Sequence, residues 1–139
     1  MCLFTKTNSR PITAKKPVHI YKLLYLSPVR QQLVTPYMYA PVNFNKKGFA
    51  IQKAKIGEKE RVSYDRTLSR IEQGIHAFRK LSIARDEAND FSIDKIFHAV
   101  IPAGATYYND ECHEEIVSNK IIIFETYELY QKYMAKWDK

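Results

Sequence analysis

Residues 95–101, Lys-Ile-Phe-His-Ala-Val-Ile, are the stretch that decides the fold. An apolar run of this length, rich in β-branched and aromatic residues, is typical of a strand in the protein core. A second run at 120–125 contains three isoleucines and a phenylalanine and predicts another core strand. We expect four side chains of these strands in the core: Phe97, Val100, Ile122 and Phe124.

Residues 17–26, Pro-Val-His-Ile-Tyr-Lys-Leu-Leu-Tyr-Leu, predict a third strand. Val18 and Ile20 point to one face, and His19 and Tyr21 to the other, so both faces are partly apolar and the strand is expected in the middle of a sheet. Shorter extended segments are predicted at 2–5, 33–42, 49–55, 73–78 and 106–108, and Pro36 and Pro41 make 33–42 either an edge strand or an ordered loop. The charged stretch from Gly57 to Arg70 is predicted to be a loop.

Two helices are expected. The first runs from about Ser82, its predicted N-cap, to Ala88, with Leu81, Ala84 and Ala88 on one buried face. The second begins after Thr126 and ends near Trp137, with Leu129 and Tyr133 in its buried stripe. Residues 1–139 therefore predict a single α+β domain: a twisted, mostly antiparallel sheet of about five to seven strands with two packed helices.

Composition favours an anionic partner. The 139 residues carry 22 Lys and Arg against 15 Asp and Glu, a net charge of +7, and they include 10 Tyr. Positive charge attracts phosphate-bearing molecules, and Tyr offers a ring for stacking. No double-stranded DNA reading element, signal peptide or long apolar run is visible, so we expect a cytoplasmic protein with no membrane partner and no specific double-stranded DNA partner. Whether it forms a homo-oligomer stays open.

The strongest candidate binding site precedes the first helix. His76, Arg79 and Lys80 lie just before the predicted helix start. Free backbone N–H groups at a helix N-terminus attract anions, and the cationic side chains add to that attraction. Tyr21 or Tyr107 would supply a stacking ring if the sheet brings it alongside. Arg79 is expected to contribute more than Lys80, because its planar guanidinium binds phosphate in a bidentate manner.

A few residues bear on catalysis. Removal of Met1 would expose Cys2 with a free α-amine, the arrangement of N-terminal nucleophile hydrolases, but we predict that Cys2 is a small buried residue of a first strand and not a nucleophile. The adjacent carboxylates Glu114 and Glu115 are expected to be solvated and not catalytic. Cys2 and Cys112 are far apart and no Cys/His ligand spacing occurs, so no metal site and no cofactor are predicted.

Several segments together resemble uncharacterised small proteins of bacteriophages and related mobile elements of gut Bacteroidales. These segments are the opening Met1-Cys2-Leu3-Phe4, the stretch from Ala14 to Leu24, the run from Gly74 to Phe78, and Ile101 to Ala105 followed by Tyr107-Tyr108. The resemblance spans most of the chain and implies a shared fold more than a shared chemistry.

Two looser resemblances suggest functions. Tyr21-Lys22 and Gly74 to Ala77 are similar to the outline of phage anti-defence sponges that sequester cyclic nucleotide or cyclic ADP-ribose signals. The Gly-x-His segment before a helix, with the turn after Ile101, also resembles ADP-ribosyltransferase-like folds, although the Ser-Thr-Ser segment of that family is missing.

The expected function is non-catalytic binding of an anionic small molecule, a nucleotide or cyclic nucleotide signal, by a phage-type accessory or anti-defence protein. One alternative is an enzyme, either ADP-ribosyltransferase-like or with an N-terminal cysteine. Another is an interaction module that inhibits a host protein through its basic, Tyr-rich surface. A pocket lined by Arg and Tyr favours the first, and a flat aromatic patch without a pocket favours the last.

Overall fold

A computed structural model describes residues 3–29, 31–35, 41–90, 95–110, 112 and 114–137. Two helices and a large antiparallel sheet confirm the predicted α+β class. The sheet is larger than the predicted five to seven strands, because nine strands form it and three more form a second sheet within this part of the chain. Cys2 and the proline-containing segment at 36–40 lie outside the described residues.

Strands dominate both halves of the chain. The strands of the first half are β1 (Leu3–Lys6), β2 (Ile12–Thr13), β3 (Val18–Ser27), β4 (Gln32–Val34), β5 (Phe49–Lys53), β6 (Glu60–Arg61), β7 (Leu68–Ile71) and β8 (Ile75–Phe78). The second half contains α1 (Leu81–Asp90), β9 (Lys95–Ile101), β10 (Thr106–Asn109), β11 (Glu115–Ser118), β12 (Lys120–Phe124) and α2 (Tyr127–Ala135).

The large sheet has the strand order β2-β10-β11-β8-β3-β9-β12-β5, with β4 paired to β3. The small sheet has the order β1-β7-β6. The predicted core strands lie together at the middle of the large sheet, where β3 and β9 are antiparallel from Val18 opposite Ile101 to Leu24 opposite Lys95. β12 continues the sheet beside β9, with Ile122 opposite Val100.

The sheet must curl, because a single residue, Asn119, joins β11 to β12. The Cα atoms of Ser118 and Lys120 are therefore at most about 7 Å apart. In the strand order, however, β8, β3 and β9 lie between β11 and β12. In a flat sheet these four strand-to-strand steps would span about 19 Å. The two halves of the sheet therefore fold towards each other, and Asn119 marks the corner where the chain passes between them.

The curl encloses one face of the sheet, which we call the inner face and define by Ile20, Leu24, Ala99, Ile101, Ile121 and Ile123. Its main apolar cluster also contains Tyr107 and Ile116 from the far half of the sheet, as the curl requires. The opposite, outer face carries both helices and the small sheet. Leu23 and Phe78 pack there under Ala84 and Ala88 of α1. Val117 packs there against Leu3 and Ile71 of the small sheet.

Two of the four predicted core residues are confirmed, since Val100 and Phe124 are fully buried. Phe97 is half-buried at the margin of the main cluster, so its placement in the core is only partly right. Ile122 is half-buried on the outer face, next to the exposed Ile51 of the terminal strand β5. Its neighbours Ile121 and Ile123 face inward and are fully buried in its place.

Several predicted boundaries are wrong. The stretch from Gly57 to Arg70 is not all loop, because β7 pairs with β1 and buries Ser69 and Ile71. Ser82 is not an N-cap, since α1 begins at Leu81 and the carbonyl of Lys80 already accepts a bond from Ala84 N–H. The Thr126 cap of α2 is confirmed by its bond from Leu129 N–H.

The predicted buried stripe of α2 is less buried than expected. Leu129 and Tyr133 are half-buried, and no residue of this helix is fully buried. The helix instead rests on the outer face through tyrosine rings that contact His19, His98 and Phe124. Of the predicted stripe of α1, Ala84 and Ala88 are buried and Leu81 is half-buried.

Candidate functional site

A groove of about 730 Å³ lies at the corner of the curled sheet and is the larger of two neighbouring cavities. We call it the basic groove, after the lysines that line it. Its wall includes Lys53, Lys55, Gly104, Tyr108, Asn119 and Lys120. Its size falls within the range of small-molecule sites, about 300–1,000 Å³.

Asn119 holds the floor of the basic groove together by joining three strands. Its side-chain oxygen accepts a 3.0 Å bond from Thr106 N–H, and its own N–H donates to the Thr106 carbonyl at 3.1 Å. Its carbonyl accepts a 3.0 Å bond from Ala54 N–H, just beyond β5. The end of β5 and the start of β10 are thereby fixed beside the corner, and the groove is a consequence of the fold.

Two of the lysines face each other directly. Lys53 of β5 and Lys120 of β12 are antiparallel partners in register, so they point to the same face of the sheet. Side chains in this relation have Cβ atoms about 5 Å apart, and like charges there destabilise a sheet. Lys53 is exposed and Lys120 half-buried. Neither forms an ion pair with a residue of the described part of the chain.

Gly104 shapes one lip of the groove. The Ala105 N–H donates to the Pro102 carbonyl at 3.1 Å, which closes a turn with Gly104 at its third position and a φ of +89°. A positive φ at that position is the mark of a type II turn and favours glycine. The Gly104 N–H also donates to the Ala14 carbonyl, so the lip is attached to the chain that follows β2.

A smaller cavity of about 160 Å³ adjoins the groove, and we call it the small cleft. It is lined by Lys6, Arg10, Tyr108 and Asp110, together with Thr5, Ser9, Ile12 and Asn109. Tyr108 lines both cavities and so forms a shared wall. The small cleft differs from the groove in chemistry, because it combines two cations with a carboxylate.

Lys59 fixes the position of Tyr108. Its ammonium lies 5.0 Å from the centroid of the tyrosine ring, a cation–π distance. The same ammonium donates to the Ser9 hydroxyl at 2.9 Å, to the Thr7 carbonyl at 3.3 Å and to the Ser9 carbonyl. Burial lowers the pKa of Lys59. Lys59 therefore holds both the tyrosine ring and the turn after β1 in place.

The five residues predicted as a binding site lie outside both cavities. Tyr21 is brought alongside His76–Lys80, since it pairs with Phe78 immediately before Arg79. Tyr107 is not, because it faces inward and is buried in the main core. Its neighbour Tyr108 faces outward and is the tyrosine that lines the groove.

Arg79 is bonded to polar groups of the neighbouring strand and loop. The Arg79 guanidinium donates to the Asn109 side-chain oxygen at 3.2 Å, and the backbone N–H of Arg79 donates to the Glu114 carbonyl. Burial raises the pKa of Glu115 to about 7, with further contributions from the charges of Asp110, Glu87 and Glu114. These carboxylates lie around Glu115, which pairs with Phe78, the residue before Arg79. Lys80 is exposed, and its carbonyl accepts the first bond of α1.

His76 has a structural role in the sheet. Its ring Nε2 bonds the Glu72 carbonyl at 2.7 Å, and its own carbonyl accepts a 2.7 Å bond from the ammonium of Lys22. Burial is the main cause of a lowered pKa for this histidine, and the charge of Lys22 adds to it. Both contacts lie within the sheet or the turn before β8.

A histidine pair under α2 is a feature that the sequence patterns did not indicate. His19 Nε2 and His98 Nδ1 are 3.0 Å apart, so one of the two nitrogens carries the shared proton. Tyr21, Tyr127 and Tyr130 surround the pair with ring distances of 4.3–5.3 Å. Burial, helped by the charge of His98, lowers the pKa of His19 to about 4. The pair is therefore neutral at neutral pH and packs as an aromatic cluster.

Comparisons with protein-family models, with curated proteins and with solved structures find no match to this chain. Within the described residues, no helix is long and apolar enough to cross a membrane. The same part of the chain contains no group of three or more His, Cys, Asp or Glu side chains that could hold a metal ion.

The groove residues have only weak signals in the sequence. Lys53, Lys55 and Lys120 belong to the general excess of lysine, and their proximity depends on the pairing of β5 with β12. The adjacent rings of Tyr107-Tyr108 are a possible stacking edge. Choosing between them requires knowing which face of β10 turns inward, and the pairing of Tyr107 with the buried Ser118 decides this.

Proposed function

We propose that this protein binds an anionic small molecule, a nucleotide, in the basic groove without transforming it. The observation that carries the proposal is the pair of lysines Lys53 and Lys120, held opposite each other across two strands. Their mutual repulsion is offset when an anion lies between them. A phosphate group is the anion that two ammonium groups and a third lysine, Lys55, would bind most favourably.

The remaining walls suit the rest of a nucleotide. Tyr108 supplies an aromatic ring, which stacks on nucleobases of any sequence. Peptide groups around Gly104 and Asn119 line the groove beside the lysines. No carboxylate lines it among the described residues, so every charged side chain in its wall is positive. Part of the net charge of +7 is thus focused on one concave surface.

The test is calorimetric titration of AMP, ADP, GMP and cyclic AMP into the wild type and into Lys53→Glu. We expect at least one nucleotide to bind the wild type with an affinity that falls as salt rises, and to bind Lys53→Glu at least tenfold more weakly. The matched control is Lys46→Glu, which makes the same charge change in the exposed turn before Gly48. Equal weakening by both variants would indicate a general charge effect and contradict a site at the groove.

The ligand-free variants provide a second measurement. Lys53→Glu converts a like-charged cross-strand pair into an opposite-charged one and should raise the free energy of unfolding by up to about 1 kcal/mol. A variant that is more stable and binds less cannot have lost binding through unfolding. If no nucleotide binds the wild type, inhibition of a host protein through the basic surface becomes the leading function.

Sequestration follows from the proposal, in line with the resemblance to anti-defence sponges. A sponge releases its ligand chemically unchanged, whereas an enzyme releases a product. Incubating the protein with a bound nucleotide, denaturing it with heat and analysing the supernatant by mass spectrometry separates the two. Recovery of an altered nucleotide, absent from the heat-treated buffer control, would favour the enzymatic alternative.

A further inference from the structure

We propose that the basic groove and the small cleft form one bipartite site, and that its ligand consists of two nucleosides joined through phosphate. This inference rests on the proposed nucleotide binding and adds the class of nucleotide. The decisive feature is Tyr108, which lines both cavities and therefore places them side by side.

Tyr108 is a fixed wall. It packs against the cluster of Leu3, Ile71 and Val117 on the outer face of the sheet. The ammonium of Lys59 lies 5.0 Å from its ring and is itself bonded to the turn after β1. The side chains that hold the ring, Leu3, Ile71, Val117 and Lys59, belong to segments that line the small cleft or pack beside it. A ligand that extends from one cavity to the other therefore passes a rigid aromatic side chain.

The two cavities differ in what they accept. Three lysines and no carboxylate line the groove among the described residues, which suits phosphate. The small cleft has Arg10 and Lys6 but also Asp110, whose Oδ1 accepts a bond from Glu114 N–H. A carboxylate only accepts hydrogen bonds when ionised, so it favours a group with donors, such as a base amine or a ribose hydroxyl, over a second phosphate. The planar guanidinium of Arg10 stacks on a base or holds the bridging phosphate.

The volumes of the two cavities also favour a ligand with two units. The groove alone, at about 730 Å³, accommodates a whole mononucleotide. The small cleft, at about 160 Å³, is below the usual range for an independent ligand site, about 300–1,000 Å³, and accepts only part of a molecule. A ligand that fills both has one unit in the groove and a second, ring-sized unit in the cleft.

The test compares four probes by calorimetry: AMP, tripolyphosphate, linear 5′-phosphorylated diadenylate and cyclic diadenosine monophosphate. Linking two units makes the second contact intramolecular, so a dinucleotide should bind at least tenfold more tightly than AMP. Stronger binding of the linear or of the cyclic form identifies the geometry of the linkage. Tripolyphosphate, which has the charge without the nucleosides, should receive no added affinity from contacts in the small cleft.

The diagnostic variant is Arg10→Ala, with Arg66→Ala as the control at another exposed arginine. We expect Arg10→Ala to reduce dinucleotide affinity about tenfold, to the level of AMP, and to weaken AMP binding no more than Arg66→Ala does. Equal affinity for AMP and both dinucleotides, or unchanged dinucleotide binding in Arg10→Ala, would overturn the bipartite site. The proposed function fails separately, if Lys53→Glu leaves AMP binding intact or AMP and the dinucleotides all fail to bind the wild type.

Discussion

Lys22 is a buried cation in the middle of the sheet, and replacing it with methionine tests the structure sharply. Its side chain lies on the inner face of β3 and the residue is 7% exposed. The ammonium donates a 2.7 Å bond to the His76 carbonyl on β8 and forms no ion pair within the described residues. β3 and β8 are in register at Tyr21 and Phe78, so Lys22 strengthens the join between the two strands.

The magnitude follows from the pKa of this lysine. Burial lowers the pKa of Lys22 to about 8, against 10.5 for the unperturbed group. Between these values the unfolded chain holds a proton that the folded protein has released, so the free energy of unfolding rises with pH. At about 1.4 kcal/mol per pKa unit, the gain from pH 8 to pH 10.5 is about 3 kcal/mol. Below pH 8 both states are protonated and Lys22 contributes no pH dependence.

Urea denaturation of the wild type and Lys22→Met at pH 7 to 10.5 measures this gain. Methionine is unbranched, flexible and uncharged, so it fills the same space. It leaves the His76 carbonyl without its donor, but that cost is the same at every pH. Other groups that titrate in this range, such as Tyr133, cancel in the difference between the two proteins. A difference that stays constant from pH 8 to 10.5 would refute a neutral buried Lys22 at high pH.

Four further predictions concern stability. Gly74→Ala should cost clearly more than Gly104→Ala in thermal denaturation, because both have positive φ but a Cβ at Gly74 lies 2.4 Å from Val117 Cγ2, whereas Gly104 faces open space; equal losses would contradict the packing of β8 on β11. As pH falls from about 6.5 to 4, the unfolded chain gains a proton on His19, whereas the folded protein, in which the pKa of His19 is about 4, does not; the wild type should therefore lose stability, and His19→Phe should lose less over the same titration. Glu115 acts in the opposite direction, because its raised pKa stabilises the folded state at low pH, so Glu115→Gln should steepen the acid loss. Phe124→Ala should lower the free energy of unfolding by about 3–5 kcal/mol, and Phe97→Ala by clearly less because its side chain is only half-buried; similar losses by chemical denaturation would show that Phe97 is a core residue.

Local patterns are sufficient to predict the elements with strong apolar periodicity. β3, β9 and β12 lie where their apolar runs predict, and Thr126 caps α2 as its position before the helical pattern indicates. β7 is not predicted by its pattern, because Leu-Ser-Arg-Ile has polar residues at two of its four positions. Its strand conformation comes from pairing with β1, a contact between distant parts of the chain.

The candidate site depends even more on distant pairing. β11 is not predicted, since Glu114 and Glu115 indicate a solvated loop. Without β11, the alternation along β10 has no fixed phase, and Tyr107 is as good a candidate as Tyr108. His76 and Arg79 are predicted as site residues from their position before a helix. This local signal gives no information about carboxylates on neighbouring strands. Glu115 faces Phe78 across such a pairing, next to Arg79.

The fold accounts for the presence of the basic groove but not for its charges. Asn119 fixes the corner through its bonds to Thr106 and Ala54, and every group it contacts there is a backbone group. The corner would therefore form with other side chains at positions 53 and 120. Two lysines in direct register contribute unfavourably to the sheet, and the described residues supply no carboxylate to neutralise them. An external anion is the group that turns this repulsion into attraction, which is why the response of Lys53→Glu, more stable and less able to bind, separates a binding site from a by-product of the curl.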